Sequence, residues 1–164
     1  MIFQYMVSYG CRSLARQIEI YGEECVMSAY DFIAADRKMK PVEIGVENKG
    51  HMIIIENENH VLGIYDDKPS CYTEPFTDLP IIMSVQIGNF ENIRAELFSY
   101  VKDAIKENTI IEVWSTWMGE TDGIERKIVH ENNLTADDLQ WVYGLKDRSH
   151  PRCLKIYKWI RGKK

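Results

Sequence analysis

The sequence predicts an α+β fold, in which an antiparallel or mixed sheet of about seven strands carries two longer helices and one short helix, packed mainly on one face. Several short segments are rich in apolar residues and are separated by turn residues, which is typical of strands. Between Asn89 and Asn108, apolar residues instead recur every three or four positions, which is typical of an amphipathic helix. The connections between the early strands are too short for parallel crossovers, which favours antiparallel pairing.

The central segment of the chain is residues 88–118, where a helix leads directly into an apolar strand. Asn89 is a preferred helix N-cap, and Asn108 ends the helical pattern. Residues 109–118, TIIEVWSTWM, are rich in β-branched and aromatic side chains and predict a strand buried on at least one face. The predicted core face of the helix consists of Ile93, Leu97, Tyr100, Val101, Ala104 and Ile105.

The first part of the chain predicts a strand and a helix. Residues 2–8 are apolar and predict an opening strand, whereas residues 14–21 are ambiguous between helix and strand. Residues 24–38 have apolar side chains at helical spacing, which predicts a helix that Pro41 ends.

Three short strands are predicted next, at residues 42–47, 51–56 and 60–65. Residues 48–50, Asn-Lys-Gly, join the first pair, because Asn and Gly tolerate the backbone of a tight turn. Residues 57–59 join the second pair. We therefore expect the three strands to form successive hairpins.

Residues 66–78 form the least regular segment, because Asp and Pro residues interrupt any periodicity. Residues 79–87 follow as a predicted half-buried strand. Its odd-numbered positions from Ile81 to Ile87 are apolar, and Ser84 and Gln86 face the other side.

The last part of the chain predicts two strands and a short helix. Residues 124–131 are rich in charge and predict an edge strand. Thr135 and Asp138 match the N-cap and N3 positions of a capping box, which predicts the start of a helix. Residues 152–160 predict the final strand, and residues 161–164 predict a solvated basic tail. The whole chain, residues 1–164, is of a length that suits one domain.

The charge is unevenly distributed along the chain. The net charge is −5, but residues 146–164 hold eight Lys or Arg against one Asp, so the rest of the chain is strongly acidic. Such a body repels phosphates and attracts a basic partner, so we expect no direct binding of nucleic acid. The alternative is that the acidity serves solubility alone.

The four cysteines, Cys11, Cys25, Cys71 and Cys153, are far apart, so they do not have the spacing of a zinc site. The first residues do not have the pattern of a signal peptide, and no stretch approaches the roughly 20 apolar residues of a membrane span. These features predict a cytoplasmic protein with reduced thiols and no membrane partner.

No known catalytic motif occurs in the sequence, so we predict no catalytic residues, no metal and no cofactor. The pair Asp66–Asp67 precedes a proline and is typical of a solvated turn. Residues 56–60 hold several oxygen and nitrogen ligands, but their spacing differs from that of a calcium loop and favours a polar hairpin tip.

The second half of the chain resembles small immunity proteins of bacterial polymorphic-toxin and contact-dependent growth-inhibition systems. The resemblance lies in ENTIIEVWSTWMGE at residues 107–120, a charged strand, a short TADDL helix and a terminal CLKIYKW strand. It implies a cytoplasmic protein without enzymatic activity that neutralises a toxin domain, often a nuclease, by tight binding.

Three functions remain open at this point. The first is an immunity-type inhibitor of a basic toxin domain, whose charge an acidic inhibitor would complement. The second is a small enzyme or ligand-binding domain with its site at residues 66–80, since long irregular loops are often functional. The third is a structural module of a larger assembly, which an extended exposed apolar patch would favour.

The predicted partner surface of an inhibitor consists of carboxylates in turns and two aromatic residues in the irregular loop. We expect the carboxylates to steer association and the aromatic residues to hold the complex. The predicted contact residues are Glu56, Glu58, Asp66, Asp67, Tyr72, Glu74, Phe76, Asp78, Glu120 and Asp122. For Phe76 an alternative is that its side chain attaches the loop to the core.

Overall fold

The computed structural model describes residues 29–49, 52–55, 57–117, 121–144 and 150–159. The predicted strand at 2–8 and the ambiguous segment at 14–21 lie outside these residues. The described strands are β1 (Ala29–Ala35), β2 (Val42–Ile44), β3 (Val46–Lys49), β4 (Met52–Ile55), β5 (Leu62–Asp67), β6 (Ile81–Ile87), β7 (Ile110–Trp117), β8 (Glu125–His130) and β9 (Arg152–Tyr157). The described α-helices are α1 (Phe90–Glu107) and α2 (Ala136–Tyr143), and single 3₁₀ turns occupy Glu58–His60 and Glu131–Asn133.

Seven of these strands form one sheet in the order β2-β5-β6-β1-β7-β9-β8. All neighbours pair antiparallel except β8 and β9, which are parallel because α2 lies in the connection between them. Strands β3 and β4 form a separate hairpin. The predicted α+β class and mixed sheet are therefore confirmed.

Both helices pack on one face of the sheet, which we call the helix face. Asn89 caps α1 as predicted, since its side-chain oxygen accepts the Glu91 N–H at 3.0 Å, and Asn108 ends the helix. The predicted residues Ile93, Leu97, Val101 and Ile105 are buried along α1. They pack against apolar side chains from β1, β5, β6, β7 and β9, so the main core lies between the helices and the sheet.

A second apolar cluster lies on the opposite face of the sheet, which we call the loop face. It contains Phe32 and Trp114 from the two central strands, and residues 68–80, the 68–80 loop, contribute Phe76. Because the central strands are covered on both faces, their sequences read as nearly continuous apolar runs.

The helix predicted over residues 24–38 is wrong where the structure describes it, because residues 29–35 form the central strand β1. The side chains of Phe32 and Ala34 point to the loop face, while Ile33 and Ala35 point to the helix face. Burial on both faces removes the alternation that marks a half-exposed strand, so the apolar spacing also matched a helix.

The strand predicted over residues 42–47 is divided at Gly45 into β2 and β3. Gly45 has a φ of 70°, and an added Cβ would lie 2.1 Å from the backbone oxygen of His60. Only glycine fits this position without strain. Residues 48 and 49, predicted to lie in a turn, belong to β3, which pairs with β4. β5 pairs with β2 and β6 rather than with β4, so the expected run of successive hairpins is wrong.

The predicted capping box at the start of α2 is confirmed, and it also joins α2 to β8. The Asp138 carboxylate accepts the backbone N–H of Thr135 at 2.7 Å, and Lys127 of β8 lies 2.6 Å from its other oxygen. Burial would raise the pKa of Asp138, but the hydrogen bonds from Lys127 and Thr135 outweigh it, so the pKa lies below its usual value. The strand predicted at the sheet edge, β8, does lie at the end of the strand order.

Candidate partner-binding surface

The 68–80 loop is attached to the loop face by its one buried aromatic ring. The ring of Phe76 lies 5.4 Å from that of Trp114 and 6.4 Å from that of Phe32, measured between centroids. Phe76 is only 6% exposed, so its ring is unavailable to a partner. The alternative considered for Phe76, attachment of the loop to the core, describes its position, and Phe76 is removed from the predicted contact residues.

A buried carboxylate holds the returning part of the loop. Glu112 of β7 points to the loop face, where one of its oxygens accepts the Thr77 hydroxyl at 2.8 Å and the Trp114 indole N–H at 3.2 Å. The Lys155 ammonium donates to the other oxygen at 3.1 Å. These donors occupy both oxygens of Glu112. The hydrogen bond from Thr77 therefore attaches the loop to β7.

The middle of the loop is a series of hydrogen-bonded turns. The backbone N–H of Thr73 donates to the carbonyl of Ser70 at 2.9 Å, and that of Phe76 donates to the carbonyl of Thr73 at 2.9 Å. The Ser70 N–H also donates to the Thr73 hydroxyl at 3.0 Å. The loop therefore has a defined conformation, with Thr73 and Phe76 directed inward.

Three of the predicted contact residues remain exposed on this loop: Tyr72, Glu74 and Asp78. Tyr72 is 45% exposed, which is high for a large apolar side chain. The loop thus exposes one aromatic ring and two carboxylates to solvent.

The two aspartates at the end of β5 point to opposite faces, because successive strand residues alternate. Asp67 points to the loop face, where it is half-buried and accepts the Tyr30 hydroxyl at 2.7 Å. Asp66 is exposed on the helix face. Burial of the Tyr100 hydroxyl, and to a lesser extent the negative charge of Asp66, raise the pKa of Tyr100 to about 12. Asp66 therefore does not belong to the surface formed by Tyr72, Glu74 and Asp78.

Glu58 and Asp122 are exposed but lie far from the loop carboxylates along the sheet. Glu58 precedes the first residue of β5, and Asp122 precedes the first residue of β8. The register places the starts of β5 and β8 at the same end of the sheet, measured along the strands. The 68–80 loop connects strands at the opposite end. The expectation that a neighbouring acidic turn completes the loop surface is therefore wrong for these two, and Glu56 and Glu120 lie outside the described residues.

Sequence reasoning missed two exposed apolar side chains, Ile128 on β8 and Trp159 after β9. They are 66% and 73% exposed. Ile128 follows two charged residues in a segment predicted as an edge strand, and this position could have indicated that its side chain is exposed. Both lie on the loop side of the sheet, as does Tyr72, so this face presents the three most exposed large apolar side chains of the described residues.

The described cysteines differ in environment. Cys153 is buried under the loop, and this burial, together with the charge of Glu112, raises the pKa of its thiol to about 12. A thiol with this pKa is a poor nucleophile at neutral pH, so Cys153 acts as a core side chain. Cys71 is exposed in the 68–80 loop.

Within the described ranges, no group of three or more His, Cys, Asp or Glu side chains could hold a metal ion. Neither of the described helices is long and apolar enough to cross a membrane. No family model matches the sequence, and comparison with curated proteins and with solved structures gave no match.

Proposed function

We propose that the protein is a cytoplasmic, immunity-type inhibitor that neutralises a basic toxin domain by binding it. The observation that supports this most directly is the 68–80 loop, which is attached by Phe76 and Thr77 and presents Tyr72, Glu74 and Asp78 outward. A loop that is already ordered loses little conformational entropy on binding, which favours high affinity.

The exposed groups of the loop suit a basic protein surface. Glu74 and Asp78 attract cationic side chains over a distance and accelerate encounter. Tyr72 offers an aromatic ring with a polar end, the type of side chain that contributes most often to binding energy at interfaces. A nuclease toxin is a suitable partner because its own substrate requires a basic surface.

The experiment begins with the C-terminal domain of a secreted toxin encoded next to this chain. Co-expression of the inhibitor should restore the growth of cells that make this domain, and the purified proteins should form a stable complex. Growth arrest in the presence of the folded inhibitor, with no complex, would contradict the proposal.

Variants then test the loop as the contact surface. The double change Glu74→Lys with Asp78→Lys should lower the association rate constant on the order of tenfold at low salt, and the difference should shrink as salt increases. Tyr72→Ala should instead raise the dissociation rate constant. Asp66→Lys, on the helix face, and Asp122→Lys, at the opposite end of the strands, are matched controls. If the control and loop variants bind alike, the interface lies elsewhere.

A further inference from the structure

The outer side of β8 is an open edge of the sheet in the part of the chain that the structure describes. Among the described strands, β8 pairs with β9 alone, and the Glu125 N–H donates to the carbonyl of Pro151 at 2.9 Å. Because backbone groups alternate sides along a strand, Lys127 and Val129 also direct their N–H groups to β9. Arg126 and Ile128 direct theirs outward, where an added strand would pair with them.

The side chains beside this edge include exposed apolar surface. Ile128 stands on the loop face of the strand and is 66% exposed. Next to it, the rings of His130 and Tyr157 lie 5.2 Å apart, and those of Tyr157 and Trp159 lie 6.2 Å apart. An exposed edge strand flanked by aromatic and aliphatic side chains is a typical docking site for an extended peptide.

The charge that this edge presents to solvent is positive. In the Lys127–Asp138 and Lys155–Glu112 pairs, each carboxylate side chain is 7% exposed, whereas the ammonium side chains are 44% and 37% exposed. Arg126 is exposed, and its guanidinium lies 4.9 Å from the centre of the Trp114 ring. In these two pairs the anions lie beneath the surface and the cations face outward. The first residue of β8 is the exception, because the Glu125 side chain is 43% exposed and its partner Arg152 is 11% exposed. The positive surface is therefore that of Arg126, Lys127 and Lys155.

We propose that the outer edge of β8 binds an extended, acidic segment of a partner protein as an additional strand. The outward backbone groups of Arg126 and Ile128 supply the hydrogen bonds, and Ile128 supplies an apolar contact. The exposed cations select acidic side chains. A second copy of this chain fits less well, because pairing two β8 edges would bring Arg126 and Lys127 near their equivalents. A nucleic acid strand offers no row of backbone groups that matches the edge.

This site is separate from the acidic surface of the 68–80 loop, and its test is independent of the toxin. The probe is a fluorescent peptide as long as β8 in which Glu and Val alternate, and the same design with Lys in place of Glu is the control. The acidic peptide should bind saturably and more weakly at high salt, and the basic peptide should not bind. Equal binding of the two peptides, or no binding of either, would overturn the proposal.

Proline at position 128 tests the mode of binding. Ile128→Pro removes an outward N–H without removing a hydrogen bond to β9, and proline is tolerated at such edge positions. It should weaken binding of the acidic peptide at least tenfold, while Ile128→Val should bind like wild type. Circular dichroism and the thermal midpoint confirm that each variant is folded. A second variant, Arg126→Glu, reverses an exposed charge of the edge and keeps its backbone N–H, and it should also weaken binding of the acidic peptide.

Three further results have defined meanings. Unchanged peptide binding by both Ile128→Pro and Arg126→Glu would overturn the proposal. So would tighter binding of single-stranded oligothymidine than of the acidic peptide, or dimerisation in sedimentation experiments that Ile128→Pro abolishes. Tyr72→Ala should leave peptide binding unchanged, which distinguishes this edge from the loop surface.

Discussion

Asp36 shows how one side chain joins segments that are distant along the chain. Its carboxylate accepts the backbone N–H groups of Thr109 at 2.9 Å and Ile110 at 3.2 Å, and it also accepts the Thr109 hydroxyl. Asn108 completes the junction, since its side chain accepts the Arg37 N–H at 2.7 Å and donates to the carbonyl of Ala104 at 2.8 Å. The end of β1, the end of α1 and the start of β7 are thereby fixed together.

We predict that Asp36→Asn lowers the free energy of unfolding by about 1–3 kcal/mol at neutral pH, because an amide replaces a charged acceptor. Burial would raise the pKa of Asp36, but the hydrogen bonds from Thr109 and Ile110 outweigh it, so the pKa lies below the usual value of 3.8. A lowered pKa stabilises the fold above the pKa of the unfolded chain, and this stabilisation is lost as the pH falls through the pKa of the folded state.

The difference in free energy of unfolding between wild type and Asp36→Asn should therefore be constant above about pH 5 and should become smaller below about pH 4. Urea unfolding at several pH values measures it. Asp122→Asn, at an exposed position, is the control and should differ little from wild type throughout. A difference between wild type and Asp36→Asn that grows on acidification would contradict the assignment.

At this scale, the sequence indicated residues whose partners are close along the chain. Asn89 and the Thr135–Asp138 pair act within one helical turn, so their roles could be predicted from spacing. Asp36 and Thr109 are 73 positions apart, and only the folded sheet brings them together. The orientation of Phe76 and Tyr72 within one loop also depends on what the loop covers.

At the scale of elements, the periodicity of apolar residues predicted the helices and strands that are buried on one side only. α1 has a single buried stripe, so its start, end and core residues followed from the sequence. β1 is buried on both faces, which leaves no periodic signal, and it was mistaken for a helix. Gly45 divides β2 from β3 through a contact with His60, a long-range constraint that the local pattern does not contain.

The buried stripe of α1 gives a prediction for Leu97, which is fully buried. Leu97→Ala should lower the free energy of unfolding by about 2–5 kcal/mol, because it loses burial and leaves a cavity. Ser99→Ala on the exposed side of the same helix is the control. Chemical denaturation measures both, and a midpoint for Leu97→Ala close to that of Ser99→Ala would be incompatible with the core position.

At the scale of the molecule, the order of strands could not be read from the chain. β1 lies between β6 and β7, and β9 lies between β7 and β8, so neighbours in space are often distant in sequence. Prolines and aspartates predicted an irregular segment at residues 66–78. The loop instead occupies residues 68–80, because Asp66 and Asp67, expected in a solvated turn, belong to β5 and β6 begins at Ile81. Which of its side chains form a surface, and the separate positions of Glu58 and Asp122, follow from the register of the whole sheet.

The strand order predicts a gradient of amide hydrogen exchange. Amides of β1 and β7 should exchange most slowly among the described strands, because both lie near the centre of the sheet and are covered on both faces. Within β8, the amides of Arg126 and Ile128 should exchange faster than those of Lys127 and Val129, which donate to β9. Residue-resolved NMR measures this, and uniform protection along β8 would argue against an open outer edge.

The central position of β1 has a consequence for biosynthesis. Among the described strands, β1 leaves the ribosome first, yet its two neighbours, β6 and β7, are made much later. Until then Phe32, Ile33 and Ala34, all fully buried in the finished fold, have no sheet to enter. The nascent chain therefore displays the apolar residues of β1 until β6 and β7 have been made, and such a segment is a natural substrate for chaperones that bind extended apolar peptides.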